Sequence, residues 1–538
     1  MKSIFFNTVI VIVIFSQNVY GVLFDGWNEY ISELKIPKVI DMRNGGTLNM
    51  VIGEGTHSWG GGINKTTRIY GYARKGEKPT YPGPTILTSK DVPINVNWLN
   101  TISGKHILDN YVEKSLITGK ASCYPKCGVP AIVHIHGLET PALYDGLPTY
   151  TFTKGATKRD YYKNSQLAST LIYHDHAMGF TRLNVWAGMV GTYLIEDEKK
   201  EKAFNMDVDC DIPMIIQDKL IDENGNISYP ESPCTLQNTK WAPESYGSVN
   251  LVNGIVMPFV KLPQEQCRLR FINAANARSY QLKIPFYDKC YLVAKDSGFV
   301  KNPVKLSNNP IVLYPFERVE LMCDFGNVML GTKFNMTDDT AQDGSYNNNI
   351  IQFRITKPKS KYQISKPIPS ILNDYKDLKS LWKSTNGKTR NITLNEIVDA
   401  NDCPIELTIS ENNKKSSFMK NDKIQCEKGK VERWNFKNPT ADFHPFHWHV
   451  VHFQCGPDEN SINTNELKDV FPIPNSEGNP DDITQVCFVA CTPGKFLIEK
   501  SKTRADDFGF STKDPYLVHC HILEHEENDM MTWFSITG

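Results

Sequence analysis

The chain has almost no surplus charge: 59 Lys and Arg stand against 60 Asp and Glu over 538 residues, a formal net of −1. A surface without a dominant sign exerts little long-range pull on nucleic acid or on an anionic membrane, so neither is expected as the main partner. Long apolar runs are missing as well. The one run of note, Ile4 to Phe15 broken by Asn7 and Thr8, is too short to span a bilayer comfortably. It follows Met1-Lys2 and leads through uncharged residues to Val19-Tyr20-Gly21, the layout of a signal peptide over 1–21. The expectation is a secreted protein, or one delivered to an oxidising lumen, without a membrane anchor. There is no low-complexity tail. Histidine is scarce, 13 in all, which makes its distribution informative.

Cysteine is also present 13 times. Setting Cys520 aside leaves an even number open to disulfide pairing, as suits an oxidising compartment. Cys123-Tyr124-Pro125-Lys126-Cys127 and Cys487-Phe488-Val489-Ala490-Cys491 have a spacing that a four-cysteine zinc site would also allow. Disulfides are the favoured reading, with the connectivity open. Asn64, Asn226, Asn335 and Asn391 begin Asn-x-Ser/Thr sequons and are candidate glycan sites.

Short β-branched and aromatic runs divided by turn residues dominate, among them Ala131-Ile132-Val133-His134-Ile135-His136, Ser169-Thr170-Leu171-Ile172-Tyr173-His174 and Met189-Val190-Gly191-Thr192-Tyr193-Leu194-Ile195. Alternation and turn spacing predict an all-β protein of antiparallel sandwiches rather than βαβ units. Length suggests about three domains. Charged or Pro-rich breaks near 196–202 and 357–369 place a first domain at 22–200, a second at 203–357, a polar connector at 358–388 and a third at 389–538.

Ten of the 13 histidines fall in four motifs: His134-Ile135-His136, His174-Asp175-His176, His444-Pro445-Phe446-His447-Trp448-His449 and His519-Cys520-His521-Ile522-Leu523-Glu524-His525. Successive strand side chains alternate between faces. In His519-Cys520-His521 the thiol therefore faces one way and both imidazoles the other. A thiolate, two imidazoles and a distant thioether make a blue-copper electron-transfer site. Parity pairs His444 with Cys520, so His444, Cys520 and His525 form that set, with Met530 axial and Met531 its rival. The same parity groups His447 and His449 with His519 and His521 on the other side. The middle segment contributes no such motif. A site needing both sets must form where the first and third domains meet, with the second domain as a spacer.

These four blocks, in this order and spacing, resemble the multicopper oxidases, most closely the three-domain spore-coat-laccase and bilirubin-oxidase branch. Tyr81-Pro82-Gly83-Pro84, Thr181-Arg182-Leu183-Asn184-Val185-Trp186-Ala187-Gly188, Leu251-Val252-Asn253-Gly254 and Phe271-Ile272-Asn273-Ala274 agree with it. The resemblance implies three cupredoxin-like Greek-key barrels and four copper ions, and it favours Met530 over Met531. It assigns a type 2 copper to His134 and His447, and a type 3 pair to His136, His174, His176, His449, His519 and His521. Asp145 and Glu526 match the family's proton-relay positions, and Asp175 is a candidate for orienting an imidazole. The implied activity is one-electron oxidation of a small-molecule reductant, four equivalents per dioxygen reduced to water. Phenols or aromatic amines are the first expectation for the donor. The alternatives are a metal-ion oxidase, for which Glu524, Glu527 and Asp529 are the nearby carboxylates, and a non-catalytic copper-binding coat protein. A monomer is expected, and no methionine-rich insert of the kind found in cuprous-oxidising relatives is present.

Overall fold

The computed structural model describes residues 26–538 except 118, 233, 235–239, 341–345, 359–364, 401–402, 421–422, 477–478, 480 and 501–514. The expected signal peptide, 1–21, lies outside the described residues. The short apolar runs pair into six sheets, each drawn from one of three successive stretches, 39–196, 210–357 or 389–537. Among the described residues no helix exceeds the seven residues of Leu378–Ser384, and none is long and apolar enough to cross a membrane.

Two sheets carry the histidine motifs. In the first stretch the strand order is Val39–Asp41, Thr85–Ser89, Val190–Glu196, Ser169–Asp175, Val133–His136. Ser169–Asp175 is buried along its whole length and pairs antiparallel with Val133–His136, so that His134 stands opposite His174. In the third stretch the order is Lys423–Glu427, Met531–Thr537, Tyr516–Cys520, His444–Trp448, Val470–Ile473. A proline inside a central strand normally strands an acceptor. Here Pro445 faces Pro472 across the ladder, and the Pro445 carbonyl takes the His521 N–H at 2.6 Å.

Each stretch has its own apolar core. A further cluster joins all three: Trp59, Ile172 and Val190 from the first, Ile215, Leu251 and Phe316 from the second, and Leu523 from the third, all fully or almost fully buried. Full burial of one such side chain contributes roughly 1.5–3 kcal/mol, so this seam holds the stretches in register.

Two segments differ from the sequence reading. Residues near 30, expected with the first domain, run along the edge of the second stretch. Leu34 N–H donates to Phe259 O at 2.7 Å, and Phe259 N–H to Ser32 O at 2.9 Å. The edge strand Phe259–Pro263 offers unpaired backbone groups that the segment satisfies. The connector is more than a polar linker. Its helix Leu378–Ser384 is capped by Asp377, which accepts from Ser380 N–H, and buries Leu378 against Val431 and Phe488.

Twelve cysteines form six disulfides: Cys123–Cys127, Cys210–Cys267, Cys234–Cys403, Cys290–Cys323, Cys426–Cys491 and Cys455–Cys487. Cys487 and Cys491 thus pair elsewhere, and no four-cysteine zinc site forms. Cys520 alone is free, and it is buried. Alkylation of the metal-free chain in denaturant without reductant should modify one cysteine, mapped by peptide mass to Cys520; two or more modified positions would contradict this pairing.

Candidate metal centre

Register sets the faces around Cys520. Phe446 stands opposite Cys520, and His447 opposite His519. His444, two residues before Phe446, therefore shares the sulfur's face. Cys520 Sγ lies 3.6 Å from His444 Nδ1 and 3.9 Å from His525 Nδ1, and the two nitrogens are 3.2 Å apart. His525 returns to the strand end on the short helix Leu523–Glu527. One sulfur and two imidazole nitrogens aimed at one point are a donor set that suits copper. Burial pushes the Cys520 thiol up, because a thiolate is costly in a dry interior unless a cation sits beside it. The two methionines separate by face. Met531 stands opposite His519 and shares the imidazole side. Met530, also buried, accepts from Cys520 N–H at 3.0 Å and donates its N–H to His525 O at 3.0 Å.

On the other side, His134, His136, His174, His176, His447, His449, His519 and His521 pack as one group, none more than 1% exposed. The first and third stretches interleave: ring centroids are 4.1 Å apart for His134 and His449, and 3.8 Å for His136 and His447. His449 Nε2 lies 3.1 Å from His519 Nε2, and His136 Nδ1 lies 3.0 Å from His521 Nε2.

Four rings are oriented by main-chain carbonyls that accept from Nδ1: His134 to Asp145 at 2.5 Å, His174 to Asp175 at 2.8 Å, His447 to Asp469 at 2.6 Å and His519 to Cys520 at 2.9 Å. That tautomer leaves the lone pair on Nε2. The Nε2 atoms of His134, His174 and His447, both ring nitrogens of His176 and Nδ1 of His521 are buried without any hydrogen-bond partner. Protons do not fill the gap. Burial holds His174, His447, His449 and His521 well below the ordinary 6.5, and takes His136 and His176 to about 3. Neutral imidazoles with unmatched lone pairs in a dry site fit metal ions.

Two carboxylates bridge the stretches. Asp145 Oδ2 is 2.7 Å from His449 Nδ1, and its Oδ1 is 3.5 Å from His134 Nδ1. Glu526 reaches His176 Nδ1 at 3.4 Å and His519 Nδ1 at 3.2 Å. Burial raises the Asp145 carboxyl, partly offset by His134. Burial would raise Glu526 too, but His176 and His519 outweigh it and hold it low. Asp175 behaves otherwise than expected. It is fully buried, and its carboxyl accepts from Ile132 N–H, Ala177 N–H and Asn184 Nδ2, so it fixes the turns around the imidazoles rather than a ring.

Several residues at the site carried no sequence signal. Asp469 Oδ1 lies 3.2 Å from His136 Nε2, and the Arg318 fork grips the carboxylate, Nη1 donating to Oδ1 at 2.6 Å and Nη2 to Oδ2 at 2.7 Å. Burial alone would raise Asp469, yet the Arg318 fork holds it well below the usual carboxylate range. Beside Arg318, Phe316 stacks on His521 at 3.9 Å from a left-handed φ of 63°. The second stretch is therefore not merely a spacer, since it supplies both groups. It also supplies Glu244, whose Oε1 is 2.8 Å from His525 Nε2. The carboxylates expected around His525 are engaged elsewhere: Glu524 accepts from Tyr229 OH and Asn276 Nδ2, Glu527 from Arg182 N–H, and Asp529 from Phe418 N–H.

Fold and donor set together define a β-sandwich copper protein with one thiolate site beside a cluster of imidazoles. Two family models, both described as multicopper oxidase, match residues 126–200 and 386–537. The chain is 30% identical over 505 residues to a laccase of Bacillus subtilis, covering 88% of this chain and 90% of the relative. It is 32% identical over 473 residues to a laccase of Bacillus stratosphericus, covering 84% and 88%. The solved structure of the McoA multicopper oxidase from Aquifex aeolicus superposes with a TM-score of 0.71 at 22% identity, covering 94% of this chain and 99% of that one. The chain belongs to the multicopper oxidases, of the laccase type, and is an oxidase of the cupredoxin-like fold. Its family binds copper and uses dioxygen and a reductant.

Arg318→Lys keeps the charge on Asp469 but loses the two-pronged geometry. Copper affinity at the imidazole cluster should fall roughly 10-fold or more, as for other outer partners of metal-binding histidines. The check is copper content after graded chelation, with absorption from the Cys520 site unchanged; equal copper retention would show that Arg318 does not support the cluster.

Proposed function

We propose that the chain is a secreted, monomeric four-copper oxidase, freed of a signal peptide at 1–21 and divided near 200 and 357–389 into three domains. His444, Cys520, His525 and Met530 would hold the type 1 copper. His134 and His447 would hold the type 2 copper. His136, His174, His176, His449, His519 and His521 would hold the type 3 pair. The observation that carries this reading is the convergence of eight buried imidazoles, five of them with an unmatched ring nitrogen, on one side of a strand whose sole free thiol faces the other. When bound, the coppers supply single-electron acceptance at the thiolate site and four-electron reduction of dioxygen to water at the cluster. The covalent chain from Cys520 to His519 and His521 joins the two ligand sets. Asp145 and Glu526, each set between imidazoles of two stretches, hold and deliver the protons that water formation consumes.

For the donor, one feature favours a cation such as ferrous iron: 4 Fe²⁺ + O₂ + 4 H⁺ give 4 Fe³⁺ + 2 H₂O. The outer nitrogen of His525 is covered by the Glu244 carboxylate at 2.8 Å. Glu396 is raised to about 7 by burial, with Glu244 and Asp442 adding repulsion, and Asp442 is raised by burial and by Glu244. Carboxylates that repel one another gain from a bound cation. A second reading, phenols or aromatic amines, is favoured by the exposed rings of Tyr246 and Phe443 beside these acids.

Two variants test the proposal. Cys520→Ser should abolish the intense blue absorption while copper still loads the cluster; a surviving blue band would refute the type 1 assignment. Glu244→Gln should raise the KM for ferrous ion about 10-fold or more, with oxidation of a phenol little changed. Oxygen uptake with both donors reads the difference, and a loss confined to the phenol would reverse the ranking.

A further inference from the structure

At the opposite end of the strand that carries His174, a cavity of about 370 Å³ lies where all three parts of the chain meet. Lys90 and Lys200 reach it from the first stretch, Phe299 from the second, Asn373 from the connector, and Lys495 and Lys500 from the third. A strand rises about 3.3 Å per residue, so Ala168 at its rim is roughly 20 Å from His174, and the cavity is separate from the copper ligands.

Among the described lining residues the charges do not cancel. Four lysines face two aspartates there. Asp91 is paired with Lys90 at 2.5 Å. Asp197 caps the helix Glu198–Ala203 by accepting from Lys200 N–H at 3.2 Å. Among the described residues no carboxylate lies within 4.0 Å of the ammonium groups of Lys200, Lys495 or Lys500. Lys200 Nζ is instead held by a neutral acceptor, Asn373 Oδ1, at 2.5 Å. That amide is fixed in turn, its Nδ2 donating to Phe299 O at 2.7 Å and to Tyr375 OH at 2.9 Å. Desolvation, with Lys90 nearby, lowers the Lys200 ammonium below its ordinary value, only partly offset by Asp197. A half-buried cation in a cavity wall, held there only by a neutral amide, is stabilised by an anion that enters.

The remaining wall is apolar: Leu167, Ala168 and Phe299 are buried side chains, joined by Ile498. The volume is within the ordinary range for small-molecule sites, which combine apolar walls with a few convergent polar groups. Three ammonium groups exceed what a monocarboxylate needs and suit a dianion, and lysine serves phosphate well as a point charge. We propose that this cavity binds a small phosphate monoester, with its dianionic head among Lys200, Lys495 and Lys500 and its apolar body against Leu167 and Phe299. Because the walls come from all three stretches, a bound ester favours the assembled chain over the opened one through linkage.

Calorimetric titration of the copper-loaded full-length protein at fixed ionic strength, with phenyl phosphate, inorganic phosphate and benzoate as probes, tests this. Phenyl phosphate should bind and raise Tm, with inorganic phosphate and benzoate each about 10-fold weaker or more. Lys200→Gln, and separately the double variant Lys495→Gln/Lys500→Gln on more accessible positions, should weaken phenyl phosphate about 10-fold or more. The blue absorption should stay at the parent level in both. Absence of binding, affinity unchanged in the double variant, or benzoate binding as tightly as phenyl phosphate would each overturn the proposal.

Discussion

Backbone carbonyls decide which nitrogen of each buried histidine is left with a lone pair, and much of the centre follows from that. Where Asp145, Asp175, Asp469 and Cys520 take an Nδ1 proton through their main-chain oxygens, the ring cannot turn and its Nε2 points inward. Leaving a buried polar atom unmatched costs roughly 1–3 kcal/mol. The metal-free cluster therefore carries several such costs at once, and these cannot be relieved by protonation in so dry a place. Metal binding and folding are coupled by the same atoms.

Holding such a cluster together demands that distant parts of the chain be locked, and the carboxylates do much of that. Asp145 and Glu526 each touch one imidazole from the first stretch and one from the third. Asp469 adds the second stretch through Arg318. The apolar seam through Ile172, Phe316 and Leu523 runs beside them. Phe316 joins both systems, packed into the seam and stacked on His521. A residue with its ring on a buried imidazole of the cluster and a left-handed backbone marks a place where the surroundings override local preference.

The thiolate site is built more locally but opens on a different chemistry. Its inner face is made by strand parity, whereas its outer face is made by Glu244 and the neighbouring acids of other segments. Inner ligands select the metal. The outer rim is where a donor would meet the site, and its acids come from segments outside the ligand motifs.

The pleat alone made much of the inner site legible. Alternation separates Cys520 from His519 and His521, and puts His444 with the sulfur, because the side-chain period of a strand is two wherever the strand lies. The all-β class and the four histidine blocks were readable for the same local reason. What the sequence could not disclose were contacts between residues far apart in the chain and outside any motif: Arg318 on Asp469, Phe316 on His521 and Glu244 on His525. It also misjudged Asp175 and the segment near residue 30, whose partners are backbone groups or side chains brought up by other elements. Periodicity tells which way a side chain points; only the folded chain decides what is there to meet it.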